Sequence, residues 1–333
     1  MNVCVDFGHN SMKGATSRRE VLIPSVLGEV KRLFLPDLSG KNGVDYLQIR
    51  YQDREYFFGD LARRQSDLKI QNVNNEDMNE YETKVMILAT AAYLAEQKNL
   101  NLVTSLPLTH YRDKPNANRF ADSFKGKHKF EFYDFEKGEY QEKEIQVQEV
   151  DVKPQGFLAL MSLLLGKDGR IAEEMKKVAG SLIVVIDPGY YSTEVYISNA
   201  LEPIVRIPVQ PIPGMSAAYK ILADYLFEEF NIRKELHEVE EYARSRRITV
   251  GNREYDISEA VDMAYSQLTK KIVSEVNNLI PFWSEVNYWL LAGGGAQPLY
   301  EEFKVRYKEV QIIPSPQMAN AKGGLLWSRR LWK

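Results

Sequence analysis

Two short segments, far apart in the chain, repeat one pattern: an apolar β-strand, an Asp-x-Gly turn and a second strand. The first covers residues 3–15 (VCVDFGHNSMKGA) and the second covers residues 182–197 (LIVVIDPGYYSTEVYI). Each segment has the alternation of strand and turn residues that is typical of a β-hairpin. We therefore expect two hairpins with the same turn chemistry, one in each half of the chain.

The residue types in these hairpins suit a phosphate group and its metal ion. Gly8 and Gly189 have no Cβ, so the backbone N–H groups can approach an anion closely. Asp6 and Asp187 offer hard carboxylate oxygens for Mg²⁺, which proteins hold through one or two carboxylates, water and substrate phosphates. Lys13 adds a compact positive charge. A single such turn also joins ordinary hairpins, so the prediction depends on the pair.

A third glycine-rich element strengthens the prediction of a nucleotide site. An apolar strand runs directly into Gly293, Gly294 and Gly295, and a helical pattern follows at residues 298–307. Such a turn gives a nucleotide close access to backbone, and a helix N-terminus favours negative charge. The alternative is a tight turn that only packs strand against helix. The segment is neither a Walker A loop nor a Rossmann fingerprint, since it lacks the required sequence and position.

Composition and charge exclude several other classes. A formal net charge of -3 argues against a general nucleic-acid binder. The pairs at residues 63–64, 246–247 and 329–330 are interpreted as solvated faces or partner contacts, because they lie among acidic residues. No apolar run reaches the ~20 residues of a membrane span, and no signal-peptide pattern is present, so we expect a cytoplasmic protein. Cys4, the only cysteine, lies in a strand as a small buried residue.

The remaining pattern predicts two α/β halves. Polar turns separate short strands in the first half, and a hairpin is expected around residues 137–138. Predicted strands cover residues 33–35, 46–51, 56–58, 100–106, 130–135, 145–150 and 288–292, and predicted helices cover residues 81–96, 157–165, 216–230, 236–244 and 257–278.

Several segments, in their order along the chain, resemble the actin and Hsp70 ATPase superfamily. They are DFGHNSMKGA, VKPQGFLALMSLLLGKDGR, VIDPGYYSTEV, PIPGMSAAY and LAGGGAQP. Within it the chain looks most like the prokaryotic actin-like ParM-type plasmid segregation proteins, on SLPLTHYRDK, VEEYARSRRITVGNREYDI and PQMANAKGGLLW. The resemblance implies an α/β, actin-like ATPase fold: two related domains with central sheets flanked by helices around a nucleotide cleft.

The resemblance also implies roles for particular residues. Asp6 and Asp187 would organise hydrated Mg²⁺, and Gln155 would orient the water that attacks the γ-phosphate. Without the resemblance, Gln155 would be interpreted as a polar residue bonding to loop backbone at a helix start. Glu241 and Arg244, one helical turn apart, would lie near the sugar and base, or form an exposed ion pair. The other residues expected around the nucleotide are Gly8, His9, Asn10, Lys13, Gly189, Thr193, Gly214, Gly293, Gly294 and Gly295.

Four positions depart from the family pattern. His9 stands where relatives often carry a small hydroxyl residue or glycine. Pro188 removes a backbone N–H from the second turn, and Tyr190 and Tyr191 are bulkier than the residues usual there. The phosphate contacts of this chain are therefore expected to differ in part from those of its relatives.

The leading functional prediction is a filament-forming ATPase that segregates plasmid DNA through a DNA-bound adaptor of the ParR type. Its cofactors would be ATP, with GTP as an alternative, and Mg²⁺; its partners would be itself and the adaptor, with neither direct nucleic-acid contact nor a membrane. Alternatives are a nonpolymerising nucleotide-binding scaffold and a small-molecule kinase of the same superfamily. An Hsp70-like chaperone is disfavoured, because only a short basic tail follows Trp327.

The predicted domain division follows the resemblance. Domain I would comprise residues 1–155 and 317–333, and domain II residues 156–316. An outer hairpin region, about residues 30–60, is the candidate for contact between filament subunits, with a plain surface hairpin as the alternative.

Overall fold

The computed structural model describes residues 1–30, 41–66, 69–70, 81–204 and 212–332. They fall into two units, Met1–Met175 with Met318–Lys333, and Lys176–Gln317. The predicted strand at residues 33–35 lies outside the described residues, as does part of the outer hairpin region. None of the described helices has the length and apolar character needed to cross a bilayer.

The first unit is built on one mixed sheet. Its interior strand Asn2–Phe7 is wholly apolar at Val3, Cys4 and Val5, which are fully buried, because neighbours cover both of its edges and both faces. Its strands are β1 Asn2–Phe7, β2 Ser11–Ala15, β3 Glu20–Pro24, β4 Leu27–Glu29, β5 Leu47–Tyr51, β6 Arg54–Phe58, β7 Lys69–Ile70, β8 Asn99–Leu106, β9 Gly126–Asp134 and β10 Glu139–Pro154. Their order across the sheet is β3-β2-β1-β8-β10-β9-β5-β6-β4-β7.

The helices of this unit cover its sheet. The second one is apolar around most of its circumference and correspondingly buried from Val85 to Ala92. The helices are α1 Asp60–Gln65, α2 Tyr81–Leu94, α3 Leu108–Arg112, α4 Lys114–Ser123, α5 Phe157–Leu164 and, after the second unit, α11 Ala319–Leu331.

The second unit has a smaller sheet and a separate hairpin. Its strands are β11 Leu182–Pro188, β12 Ser192–Asn199, β13 Glu202–Pro203, β14 Ile212–Pro213, β15 Arg247–Val250, β16 Arg253–Asp256, β17 Tyr288–Leu291 and β18 Gln311–Ile312. Its helices are α6 Lys176–Ala179, α7 Met215–Phe230, α8 Leu236–Ser245, α9 Ser258–Leu279 and α10 Ala296–Arg306. A short 3₁₀ turn at Glu173–Met175 ends the first segment of the first unit, and two others lie at Trp283–Glu285 and Pro316–Met318. The sheet runs β13-β12-β11-β17-β18, with β14 beside β12, while β15 and β16 pair only with each other.

The two units repeat one local topology. In the first, the antiparallel hairpin β1–β2 continues through β8 and β10, which run parallel to β1. In the second, the antiparallel hairpin β11–β12 continues through β17 and β18, which run parallel to β11. The fold therefore places each Asp-x-Gly turn at the corresponding point of its own sheet.

Most predicted elements are confirmed, with bounds shifted by one or a few residues. The hairpin around residues 137–138 joins β9 to β10, and the helices predicted at 81–96, 157–165 and 257–278 are α2, α5 and α9. Among the elements that the prediction missed are α4, the β15–β16 hairpin and α11, together with the short helices α1, α3 and α6.

The predicted start of domain II at residue 156 differs from the change of unit after Met175. The physical reason is close helix packing within the first unit. A Cβ on Gly323 of α11 would overlap the carbonyl oxygen of Leu158 in α5, so the two backbones are in direct contact. The assignment of functional domains stays a prediction.

Candidate functional site

The first carboxylate lies at the end of β1 among polar partners. The strand register places Asp6 opposite Lys13, whose Nζ lies 3.4 Å from Asp6 Oδ2. Asp6 is 1% exposed, and the hydroxyl of Ser105 donates to its Oδ1. A buried charge needs such partners, because desolvation without them is costly. Ser105, at the end of β8, was missed by the sequence prediction, since a lone serine before Leu-Pro carries no distinguishing signal.

Gln155 joins the same group of side chains. It follows β10, and its backbone N–H donates to Leu106 O at 2.8 Å. Its Nε2 donates to Phe7 O at 3.0 Å and lies 3.3 Å from Asp6 Oδ1. The parallel pairing of β10 with β8, and of β8 with β1, explains why residues almost 150 positions apart meet here.

The helix after Gln155 is capped from another helix. The Asn320 side-chain oxygen, on α11, accepts from the backbone N–H groups of Gly156 and Ala159 at 3.1 and 3.0 Å. These are first-turn donors of α5, which have no partner within their own helix. Asn320 is 6% exposed and was also missed by the sequence prediction, because a cap supplied from a distant segment leaves no local signature. It fixes the start of α5 and with it the backbone that carries Gln155.

The first turn, residues 8–10, has no room for a larger residue at its glycine. A Cβ on Gly8 would overlap Nζ of Lys13 and lie 2.8 Å from Ser11 O. Ser25 closes the turn from the other side, since its hydroxyl donates to Gly8 O at 2.5 Å and its backbone N–H donates to Asn10 O at 3.0 Å. The turn is therefore pre-formed by the protein itself.

His9 is a neutral side chain in this turn. Burial, with the nearby charges of Lys13 and His110, lowers the pKa of His9 from 6.5 to about 4. Its ring lies 5.7 Å from that of Phe7, measured between centroids. At neutral pH it offers an imidazole rather than a cation to whatever binds the turn.

The second carboxylate depends on the glycine-rich turn after β17. Asp187 is 6% exposed at the end of β11. A Cβ on Gly293, which has φ +79°, would overlap Asp187 Oδ1 and lie 2.9 Å from Pro188 O. Gly295 donates its N–H to Pro188 O at 2.9 Å. Pro188 has no backbone N–H to donate, as the sequence indicates. Its carbonyl oxygen nevertheless joins the second turn to the glycine-rich turn by accepting from Gly295.

The second turn, residues 189–191, is bound to the start of α7. Met215 N–H donates to Gly189 O at 2.9 Å, and Gly214 N–H donates to Tyr191 O at 2.9 Å. A Cβ on Gly214 would lie 2.7 Å from Tyr190 O, so the backbones are in close contact. The structure therefore brings Gly189, Gly214, Gly293, Gly295 and Asp187 together.

Two further predicted residues lie at the edge of this group. Thr193 Oγ1 donates to Pro213 O at 2.7 Å, which joins β12 to the segment before α7. Gly294 is the most open of the three glycines, since the nearest atom to its Cβ position is Gln317 Nε2 at 4.0 Å.

Arg244 of α8 has an ion-pair partner other than Glu241. Arg244 Nη2 lies 3.1 Å from Glu240 Oε1, so Arg244 pairs with the residue before Glu241. Glu241 is exposed. Glu240 also lies near α7, where burial and then the charge of Glu240 raise the pKa of the Tyr219 hydroxyl. Contact of Glu241 and Arg244 with a nucleotide stays a prediction.

The donor set suits a metal ion that keeps most of its water. Among the described residues, no group of three or more His, Cys, Asp or Glu side chains could enclose an ion. A single buried carboxylate, Asp6 in the first unit or Asp187 in the second, fits Mg²⁺, which is commonly held by one or two carboxylates, water and substrate phosphates. Burial and the charge of Asp6 raise the pKa of the Cys4 thiol, which disfavours a thiolate ligand.

Comparison with known proteins identifies the two halves. Residues 4–157 match the family model of the N-terminal domain of actin-like proteins, and residues 185–305 match that of the C-terminal domain of archaeal MreB-like actin homologues. No curated protein sequence matches the chain significantly.

Solved structures agree with both matches. A ParM from a 15-stranded filament of Clostridium botulinum is 22% identical, with a TM-score of 0.76 over 99% of each chain. The actin-like protein Alp7A is 18% identical, with a TM-score of 0.79 over 99% of this chain and 96% of its own. An archaeal actin homologue, solved in complex with ADP, is 15% identical, with a TM-score of 0.79 over 99% of each chain. The chain therefore belongs to the actin-like superfamily and has the actin-like fold.

Proposed function

We propose that the protein binds and hydrolyses ATP with Mg²⁺ and assembles into filaments. The observation that carries the proposal is the repeated turn: a buried carboxylate at the end of a strand, beside a glycine that leaves no room for a Cβ. Each such turn suits a phosphate group, because its backbone N–H groups can meet an anion and its carboxylate can meet the hydrated metal ion. The ADP complex of the archaeal homologue supports nucleotide binding by this fold.

Different residues are proposed to contact the phosphates, the metal ion and the rest of the nucleotide. The backbone of Gly8 and Gly189, with Asn10, Lys13 and Thr193, would contact phosphate oxygens. Asp6 and Asp187 would hold Mg²⁺ through water, and Mg²⁺ supplies charge neutralisation at the phosphates when bound. The backbone of Gly214, Gly293, Gly294 and Gly295 would lie against the nucleotide, with His9, Glu241 and Arg244 as further contacts.

Gln155 is the proposed orienting residue for hydrolysis. Its Nε2 is held by Phe7 O and Asp6 Oδ1, which fixes the plane of the amide. The side-chain carbonyl oxygen can then accept a hydrogen bond from the attacking water. An amide is a weak base, but phosphoryl transfer depends chiefly on positioning and electrostatics.

The proposal includes filament formation and a use of the filament in plasmid segregation, and the similarity to ParM supports it. The ParM filament of similar fold supports self-association. A net charge of -3 favours contact with DNA through a bound adaptor of the ParR type over direct contact. ATP is the proposed nucleotide and GTP the alternative.

Sedimentation with and without ATP tests the proposal. Wild-type protein is expected to pellet with ATP at roughly tens of micromolar and to release phosphate. Asp187→Asn should lose nucleotide binding and pelleting together, whereas Asp224→Asn, which alters an exposed carboxylate on α7, should behave as wild type. Gln155→Ala should bind ATP but release phosphate at least tenfold more slowly.

Each contrary result has a clear meaning. Monomers that persist with bound ATP contradict polymerisation and favour a scaffold. Transfer of phosphate to a sugar or carboxylic acid favours a kinase. Normal hydrolysis by Gln155→Ala removes Gln155 from the mechanism.

A further inference from the structure

Helix α1 contacts the first turn through one arginine. Arg63 Nη2 donates to Asn10 Oδ1 at 2.8 Å and lies 3.3 Å from Asn10 O. The amide of asparagine has an acceptor oxygen on one side and two N–H donors on the other. Because Arg63 takes the oxygen, the donor side of Asn10 faces away from Arg63. Only that donor side can bind an anion.

The charge of Arg63 strengthens this hydrogen bond. Arg63 is half-buried, and its Nε is buried with no hydrogen-bond partner in the described part of the chain. Arg50 and Arg246 each form an ion pair with a carboxylate. Among the described carboxylates, none forms an ion pair with Arg63. A hydrogen bond from a cation is about twice as strong as one between neutral groups, and more so away from water.

The neighbouring arginine has a different environment. Arg64 is exposed, donates to Asp45 O at 2.8 Å and stacks over the ring of Tyr46 at 4.8 Å. Between the two contacts, Leu61 and Ala62 anchor α1 in the core with 1% and 0% exposure. One short helix therefore presents the same residue type to the turn and to the outer surface.

We infer that Arg63 is a positioning residue of the nucleotide site: it fixes the Asn10 amide so that its N–H donors meet a phosphate oxygen. This inference rests on the proposed function. Arg63 acts through Asn10 and does not itself contact the nucleotide.

Measurement of ATP affinity in five variants tests the inference. Arg63→Ala should weaken ATP binding about tenfold, or about 1.4 kcal/mol. Arg63→Lys should not restore the affinity, because both contacts come from Nη2, which lies one bond farther from the backbone than a lysine Nζ. Asn10→Ala should have a similar effect, and the double variant Asn10→Ala with Arg63→Ala should be no weaker than Asn10→Ala alone. Arg64→Ala, the matched control, should bind ATP as wild type does.

The outcomes separate this inference from the proposed function. If wild type and Arg64→Ala bind ATP, Asp187→Asn does not, and the Arg63 variants bind normally, the inference fails alone. Additive losses in the double variant, or full rescue by Arg63→Lys, also overturn it. If wild type does not bind ATP, both proposals fail. Thermal melting of the nucleotide-free proteins shows whether each variant folds. If Arg63→Ala does not fold, the test uses Arg63→Lys, which keeps the positive charge and the aliphatic part of the side chain.

Discussion

At the scale of single residues, His9 couples the first turn to pH. Its pKa, lowered to about 4, lies below the value of about 6.5 for an exposed imidazole. Between these values the unfolded chain binds a proton that the folded chain does not. The stability that this difference supplies is fully present above about pH 6.5 and is lost as the pH falls toward 4.

We expect His9→Gln to flatten this pH dependence. As the pH falls from about 7 to about 5, protonation of His9 in the unfolded chain should reduce the free energy of unfolding of the wild type by up to about 2 kcal/mol. The variant should lack this part of the decrease. Urea unfolding of both proteins at the two pH values measures it. His128, whose pKa is also lowered by burial, is present in both proteins and cancels. Parallel pH profiles would show that His9 titrates normally.

At the scale of elements, α11 depends on two adjacent glycines. A Cβ on Gly324 would overlap Sγ of Cys4 in β1, and one on Gly323 would lie 2.7 Å from Leu158 C and 2.8 Å from Ser162 N in α5. Glycine disfavours a helix by about 1 kcal/mol relative to alanine, so these positions sacrifice propensity for close packing. That packing brings Asn320 to the start of α5.

Gly323→Ala should therefore destabilise the protein. The gain in helix propensity is about 1 kcal/mol, but forcing a methyl group into backbone costs roughly 1–3 kcal/mol or more, so we expect a net loss of about 2 kcal/mol. Gly180→Ala is the control, because its Cβ would meet only carbonyl oxygens at 3.6 and 3.8 Å. Urea unfolding measures both. A more stable Gly323→Ala protein would contradict the close packing.

The same element shows what the sequence could predict. The hairpins and the strand before Gly293 follow from local patterns, since apolar alternation and turn residues lie next to each other in the chain. Helix α11 was missed because its glycines oppose a helix locally and are explained only by α5 and β1. Ser105, Ser25, Arg63 and Asn320 were missed for the same reason: each acts on a segment distant in sequence.

Basic pairs show a similar limit. From the sequence alone, the arginine pair at residues 63–64 is interpreted as a solvated face or a partner contact. The structure separates them, since Arg63 contacts the first turn and Arg64 contacts the half-buried ring of Tyr46. Adjacent identical residues on a helix point about 100° apart, so a pair has no single environment to predict.

At the scale of the whole molecule, the proposed function requires contact between copies of the chain. The outer hairpin region, about residues 30–60, remains the candidate surface. Its described part includes Lys41, which is exposed and lies 5.8 Å from the ring of Tyr46. Lys41 lies outside the strands of this region, whereas Phe57 and Phe58 of β6 are buried at 1% and 0% exposure, so a change at Lys41 leaves the core intact.

Reversal of this charge should therefore impair assembly and spare the nucleotide site. We expect Lys41→Glu to raise the protein concentration needed for pelleting with ATP several-fold, because one exposed charge in a repeated contact is worth up to about 1 kcal/mol per interface. Lys41→Arg keeps the charge and is expected to pellet as wild type does. ATP affinity, measured below the concentration at which filaments form, should be equal in all three proteins. Unchanged pelleting of Lys41→Glu would place the contact elsewhere on the surface, whereas weaker ATP binding by Lys41→Glu would mean that the outer region acts on the nucleotide site and not only on assembly.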